Sequence, residues 1–189
     1  KLKKHSRLGD PIRHEWISCL LLHTLIKLSG NQENDELWLS ALINGELDEL
    51  KLKTLVTQRE NKPLEKLPPA AKLISWLIVT HHRLPLSEQK DWRDEAAPDI
   101  DSILKRITSD WGYENHGNEL EYQKRLNACF DFPHGLLSQS LPWLKELKKW
   151  SLRLHEMLPN LYQCMNDGSY RLILHHARLC LMLGDHYYS

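Results

Sequence analysis

Apolar positions recur at helical spacing along nearly the whole chain, and period-two alternation bounded by turns is absent. Helices are therefore predicted and strands are not. Asp10 before Pro11 reads as an N-cap followed by proline at the first helical position, with Ile12, Trp16, Leu20, Leu21, Leu22, Leu25 and Ile26 following. That helix should end near Gly30. A second, short helix fits Asp35 to Asn44 and is stopped by Gly45. Residues 46–67 are mixed and polar, with Asn61-Lys62-Pro63 marking a loop. Pro68-Pro69 opens a strong helix through Leu73, Ile74, Leu77 and Ile78, which Leu84-Pro85 should terminate. Modest helices are predicted over 99–109 and 118–130, and Asp131-Phe132-Pro133-His134-Gly135 is a turn-rich break. Ser140 with Pro142 starts a long amphipathic helix reaching Leu158, and Ser169 caps a last one from Tyr170 to about Tyr188. Neither a repeat nor a low-complexity tract occurs. The pattern describes one all-α domain of six to eight helices.

Composition narrows this picture only slightly. A chain of 189 residues supports one substantial core. Its 25 basic and 25 acidic residues balance, so net charge gives no sign of nucleic-acid binding, although a local basic groove remains compatible with it. The basic cluster Lys145, Lys148, Lys149 and Arg153 reads most simply as the solvated face of an amphipathic helix. The four cysteines, Cys19, Cys129, Cys164 and Cys180, include no C-x-x-C pair, which argues against a zinc knuckle and a dense disulfide framework. Cys19 and Cys180 fall in apolar helical patterns and are expected to be small buried hydrophobes. A reducing, cytoplasmic setting is the natural reading. No apolar run approaches the roughly 20 residues that span a bilayer. The longest, residues 173–184, is interrupted by His175, His176 and Arg178. The chain opens on Lys1 without a signal-peptide pattern, and is read as a piece of a longer polypeptide.

The candidate chemistry is a series of imidazoles ending in a carboxylate. His81 and His82 close an apolar helix, His14 opens another, and Asp185 lies late in the last, after Leu181, Met182 and Leu183. Imidazoles and a carboxylate from separate helices form the ligand set of a hydrolytic site for a divalent first-row metal. Consecutive helical residues point about 100° apart, so the pair reaches one ion only where its helix frays, as Pro85 favours. Simpler readings stand beside this one. The pair also reads as complementing a helix dipole, His14 as a surface or capping residue, and Asp185 as structural, paired with Arg178 two turns earlier. Glu15 reads as support for His14, as decoration of the helix start or as a solvated residue. Arg178 also reads as a partner for a metal-bound group or a phosphate. His175, His176 and His186 read as core-edge or surface residues, His134 as a loop histidine, and His5, His23, His116 and His155 show no chemistry. Phosphate-binding P-loop, dinucleotide-binding, nucleophile-elbow and H-E-x-x-H motifs are all missing.

Three separated segments carry a resemblance. Residues 10–16 (Asp-Pro-Ile-Arg-His-Glu-Trp), 76–85 (Trp-Leu-Ile-Val-Thr-His-His-Arg-Leu-Pro) and 178–189 (Arg-Leu-Cys-Leu-Met-Leu-Gly-Asp-His-Tyr-Tyr-Ser) together resemble the HD nuclease domain of the CRISPR-associated type I helicase–nucleases. The likeness is closest to the type I-F branch and runs from about residue 10 to the end; Phe132-Pro133-His134-Gly135 also looks like that branch. It implies an all-α HD-type domain in which His14, His81, His82 and Asp185 bind metal and act in catalysis. Two divalent ions are expected, with iron, manganese, cobalt or nickel suiting imidazole-rich sites better than magnesium. It also implies single-stranded DNA as substrate, and an ATP-driven helicase and fused adaptation subunit on the same polypeptide. A guide-RNA surveillance complex would recruit the protein, and phage anti-CRISPR inhibitors are further expected partners. The family's His-Asp dyad, however, occurs nowhere in this chain, and Asp185-His186 has the reverse order. The dyad is expected upstream of Lys1. Alternatives are a nucleotide phosphohydrolase of the HD superfamily and a non-catalytic helical interaction module.

Overall fold

A computed structural model describes residues 10–30, 32–82, 99–114, 118–133, 135–136 and 140–188. His5, His116, His134 and the 83–85 segment, whose Leu84-Pro85 pair is expected to end a helix, lie outside these residues. The protein is all-helical, as the hydrophobic periodicity predicts. In chain order the helices are α1 (His14–Leu28), α2 (Asp35–Asn44), α3 (Glu49–Val56), α4 (Pro69–Thr80), α5 (Ile100–Lys105), α6 (Glu119–Cys129), α7 (Leu141–Asp167) and α8 (Tyr170–Tyr188). Among the described residues the only extended pairing is a bridge between Ile12 and Tyr113.

α4 is the hub, packed against α1, α2, α5, α7 and α8. It is the most apolar of the helices and buries Ala70, Ala71, Leu73, Ser75, Trp76, Val79 and Thr80. Its start is held by Asp35, a buried carboxylate at the opening of α2. Asp35 accepts hydrogen bonds from the Ala70 and Ala71 amides (2.8 and 3.2 Å), the Trp38 indole (2.9 Å) and the Tyr162 hydroxyl (3.0 Å). Two amides that a helix leaves without partners are thereby satisfied. α1 runs antiparallel to α4: the Cys19 thiol meets the Ser75 carbonyl, and His14 meets the residues just past Thr80. α8 runs parallel to α4, as the contacts of His175 with Trp76, Arg178 with Thr80 and Asp185 with His82 show.

Five local expectations are corrected. Pro11 and Ile12 do not begin α1; Arg13 is its cap residue. The preceding backbone is bound to residues 112–114 instead, through Arg13 N to Gly112 O and Glu114 N to Pro11 O, both 2.8 Å. α3 forms within the stretch taken as mixed and polar, capped by Asp48 and burying only Leu52 and Val56. α7 continues through Pro159 to Asp167 rather than stopping at Leu158, because both flanking turns carry core residues, among them Leu154, Leu158, Leu161 and Met165. α5 stops at Lys105, short of residue 109. Cys180 is exposed rather than buried, since α8 turns Leu174 and Arg178 inward and Cys180 away.

Candidate metal centre

The antiparallel α1–α4 pair and the parallel α4–α8 pair bring three helix ends to one place. His14 is the first residue of α1, His81 and His82 follow α4, and Asp185 sits in the last turn of α8. Each of these four residues offers one ligand atom, and the atoms all lie within 4.8 Å of one another. Among the described residues no other group of histidines, cysteines and carboxylates gathers this way. His175, His176 and His186 are exposed and remain outside it. The helix does end before the histidine pair, with His81 as its cap residue.

Several contacts orient the donors. His81 is buried, and its Nδ1 lies 2.6 Å from the Ile78 carbonyl. A carbonyl only accepts, so Nδ1 carries the hydrogen and Nε2 keeps its lone pair for a ligand. His82 Nε2 is 3.1 Å from His14 Nε2 and 3.6 Å from an Asp185 carboxylate oxygen. Burial, the neighbouring His81 and His14 push the His82 imidazole below its ordinary pKa, against the opposing pull of Glu15 and Asp185. The neutral form is the one a metal takes.

Beneath His14 lies Glu15, only 1% exposed, with one oxygen 3.6 Å from His14 Nδ1. Burial alone would raise its pKa, but the Arg13 guanidinium at 2.8 Å holds it below the ordinary carboxylate value. Arg13 is shared with Glu114. Carboxylate behind imidazole is the usual outer support of a metal-binding histidine. Arg178 donates from Nε to the Thr80 carbonyl (2.7 Å), the residue just before the histidine pair. The sequence left Glu15 open among three readings and gave no sign of Glu114, which meets Arg13 across 101 residues. It also gave no sign of His23, buried on α1 with Nε2 3.4 Å from Glu60.

The donor set fits a metal ion. Ligand atoms bound about 2.1 Å from one ion stand roughly 3–4 Å apart. The 3.1 and 3.6 Å separations match that span. Two imidazole Nε2 atoms at 3.1 Å also need a shared proton or a cation between them, since two lone pairs repel. Four donors of this kind are enough for one ion; iron, manganese, cobalt and nickel all take such mixed nitrogen and oxygen sets.

Comparison with known proteins supplies a family context. The chain is 30% identical, over an alignment of 195 positions that covers 96% of its length, to the CRISPR-associated nuclease/helicase Cas3 subtype I-F/YPEST of Pectobacterium atrosepticum. It is 32% identical, over an alignment of 200 positions that covers the whole chain, to the protein of the same description from Pseudomonas aeruginosa. The chain spans about 17% of the length of these curated relatives. No family model matches it, and no solved structure does. Over nearly its whole length, then, the chain is a homologue of one segment of CRISPR-associated nuclease/helicases of subtype I-F.

Proposed function

We propose that these 189 residues belong to an HD-type nuclease domain, with the His-Asp dyad supplied from outside them, that hydrolyses phosphodiester bonds of single-stranded DNA in CRISPR type I interference. The observation that carries the reading is the convergence of His14, His81, His82 and Asp185 from three helices onto one point. Homology to proteins named nuclease/helicase supports the reaction class. In this reading the four residues hold a divalent transition metal. When bound, that ion polarises the phosphodiester and lowers the pKa of water. The chain's own contribution is orientation. The Ile78 carbonyl fixes the His81 tautomer, Glu15 and Arg13 back His14, and Arg178 holds the backbone before the histidine pair to α8. Arg178 thus has a positioning role; phosphate contact is a second use for the rest of its guanidinium.

No His-Asp dyad occurs in the sequence, so a second ion needs ligands these residues do not supply. For the whole protein we further propose, from the resemblance of the motifs, an ATP-driven helicase acting with this domain, and a guide-RNA surveillance complex, adaptation subunits and anti-CRISPR inhibitors as partners.

The test is cleavage of circular single-stranded DNA by the full-length natural protein with manganese, iron, cobalt or nickel. His82→Ala and Asp185→Asn should abolish it while leaving the fold intact. Normal cutting by both variants would remove the site assignment. Turnover of small nucleotides with no action on DNA would instead establish the phosphohydrolase reading.

A further inference from the structure

The solvent-facing side of α7 carries a combination that solvation of an amphipathic helix does not require. Its inward stripe runs through Leu144, Leu147, Ser151, Leu154 and Leu158. Alongside it, Trp143, Trp150 and Met157 recur every seven residues and so form a line along one side of the helix. These three are 39%, 57% and 51% exposed. The two indoles stand about 10 Å apart along the axis at 1.5 Å rise per residue. Cations are set at the second indole: the Arg153 guanidinium carbon lies 4.8 Å from the Trp150 ring centroid and Lys149 Nζ lies 5.4 Å from it. Lys145 and Lys148 are exposed nearby. Between residues 141 and 153 four basic side chains face one acid, Glu146, in a chain whose net charge is zero.

Exposed indoles with cations beside them are what an unpaired nucleic-acid strand uses. Each base presents a π-face to an aromatic ring, and each phosphate presents a negative charge to a lysine or arginine. A purely apolar protein partner would leave the positive charges desolvated at its edge, so the charge favours a polyanion. We propose that the α7 face bearing Trp143, Trp150, Lys149 and Arg153 is a docking track for single-stranded DNA. Trp150 serves as a stacking platform, and the flanking cations meet the backbone. The identity of the strand rests on the nuclease reading above. Glu146, bonded to Lys149 at 2.8 Å, opposes the track, and a docking phosphate competes with it for that ammonium.

Two measurements on the full-length natural protein test this. The first is photocrosslinking of a 5-iododeoxyuridine oligonucleotide in chelator, with mapping of the modified peptide. The second is the steady-state kinetics of single-strand cleavage with manganese. A crosslink at Trp150 is expected. Trp150→Ala should abolish that crosslink and raise KM at least about fivefold, as loss of one stacked base does, with kcat unchanged. Trp150→Phe should largely restore KM, and Glu146→Gln should lower it. Lys149→Glu with Arg153→Glu should raise KM and flatten its salt dependence. Crosslinks mapping only elsewhere, with KM unmoved in every variant, overturn the proposal. The same null result with altered self-association makes the face a protein contact and overturns it equally. If no metal gives cleavage yet the crosslink still maps to Trp150, the nuclease reading fails and the track stands.

Discussion

Arg178→Met removes a guanidinium while keeping an apolar stem of similar length on α8. In the native protein the Arg178 Nε donates to the Thr80 carbonyl at 2.7 Å, across 98 residues of chain, and Thr80 is wholly buried. Thr80 is the last residue of α4, where a carbonyl has no amide of its own helix to accept from. Losing the donor leaves that carbonyl buried without this partner. A hydrogen bond from a charged donor contributes about 1.5–3 kcal/mol. For a domain of this size each kcal/mol moves the melting temperature about 2–4 °C, so a fall of roughly 3–12 °C is expected. The consequence at the site is separate. The contact ties the backbone carrying His81 and His82 to the helix carrying Asp185, so in the proposed metal site its loss should weaken metal binding, by at most the roughly 10–100-fold that partners bonded directly to a ligand supply. Thermal unfolding of the 189-residue chain reads the first effect, and manganese titration by calorimetry reads the second. Arg178→Lys keeps the charge but not the fork, and should fall between wild type and Arg178→Met in both. If Arg178→Met melts with wild type and binds manganese equally well, the contact neither stabilises α4 nor aligns the ligands, and the reasoning is refuted.

Gly112→Ala should destabilise the protein by about 3 kcal/mol or more, the upper range for overpacking. The added methyl would lie 2.1 Å from Trp16 Cγ, inside a fully buried indole, and the loss is read as a lower denaturant midpoint. Asp35→Ala strips the acceptor from two α4 amides, Trp38 and Tyr162, and should cost about 3–5 kcal/mol. Burial and the Asp35 carboxylate push the Tyr162 phenol up to about 12. In Asp35→Asn an ultraviolet titration should show it moving back toward 10. His23, buried on α1, is held below its ordinary value of 6.5 by burial and Lys27, against the pull of Glu60. The unfolded chain therefore binds more protons than the folded one as pH falls below 6.5. Stability should be fully present above that value and decline beneath it, and His23→Gln should flatten the slope of melting temperature between pH 6.5 and 5.

Where capping chemistry is local, the sequence was legible to the residue. Asn34 accepts from the Glu36 amide and Gly45 takes a left-handed φ of 73°, so both ends of α2 are written in adjacent side chains. α3 was not legible because an eight-residue helix with two buried positions has no measurable periodicity. The start of α1 was misread for a more instructive reason. Asp10-Pro11 has the chemistry of a cap, but the 112–114 segment claims that backbone from a hundred residues away. The same distinction separates the parts of the site. The types of the four candidate ligands stand out in the sequence, yet their meeting depends on an antiparallel α1–α4 pair and a parallel α4–α8 pair that no spacing encodes. Glu15 shows what the fold adds. Two residues of one turn, His14 and Glu15, face opposite fates, one exposed beside His82 and the other buried beside Arg13. That placement requires Arg13 to be at the helix boundary, with Glu114 closing its other side. The misread helix start and the support behind His14 therefore have one cause. Had Pro11 begun the helix, Arg13 would lie within the first turn rather than at its boundary, and the backbone bonds to Gly112 and Glu114 that set its position would be lost. The extended pairing at residues 11–13 is thus part of what holds His14 at the site.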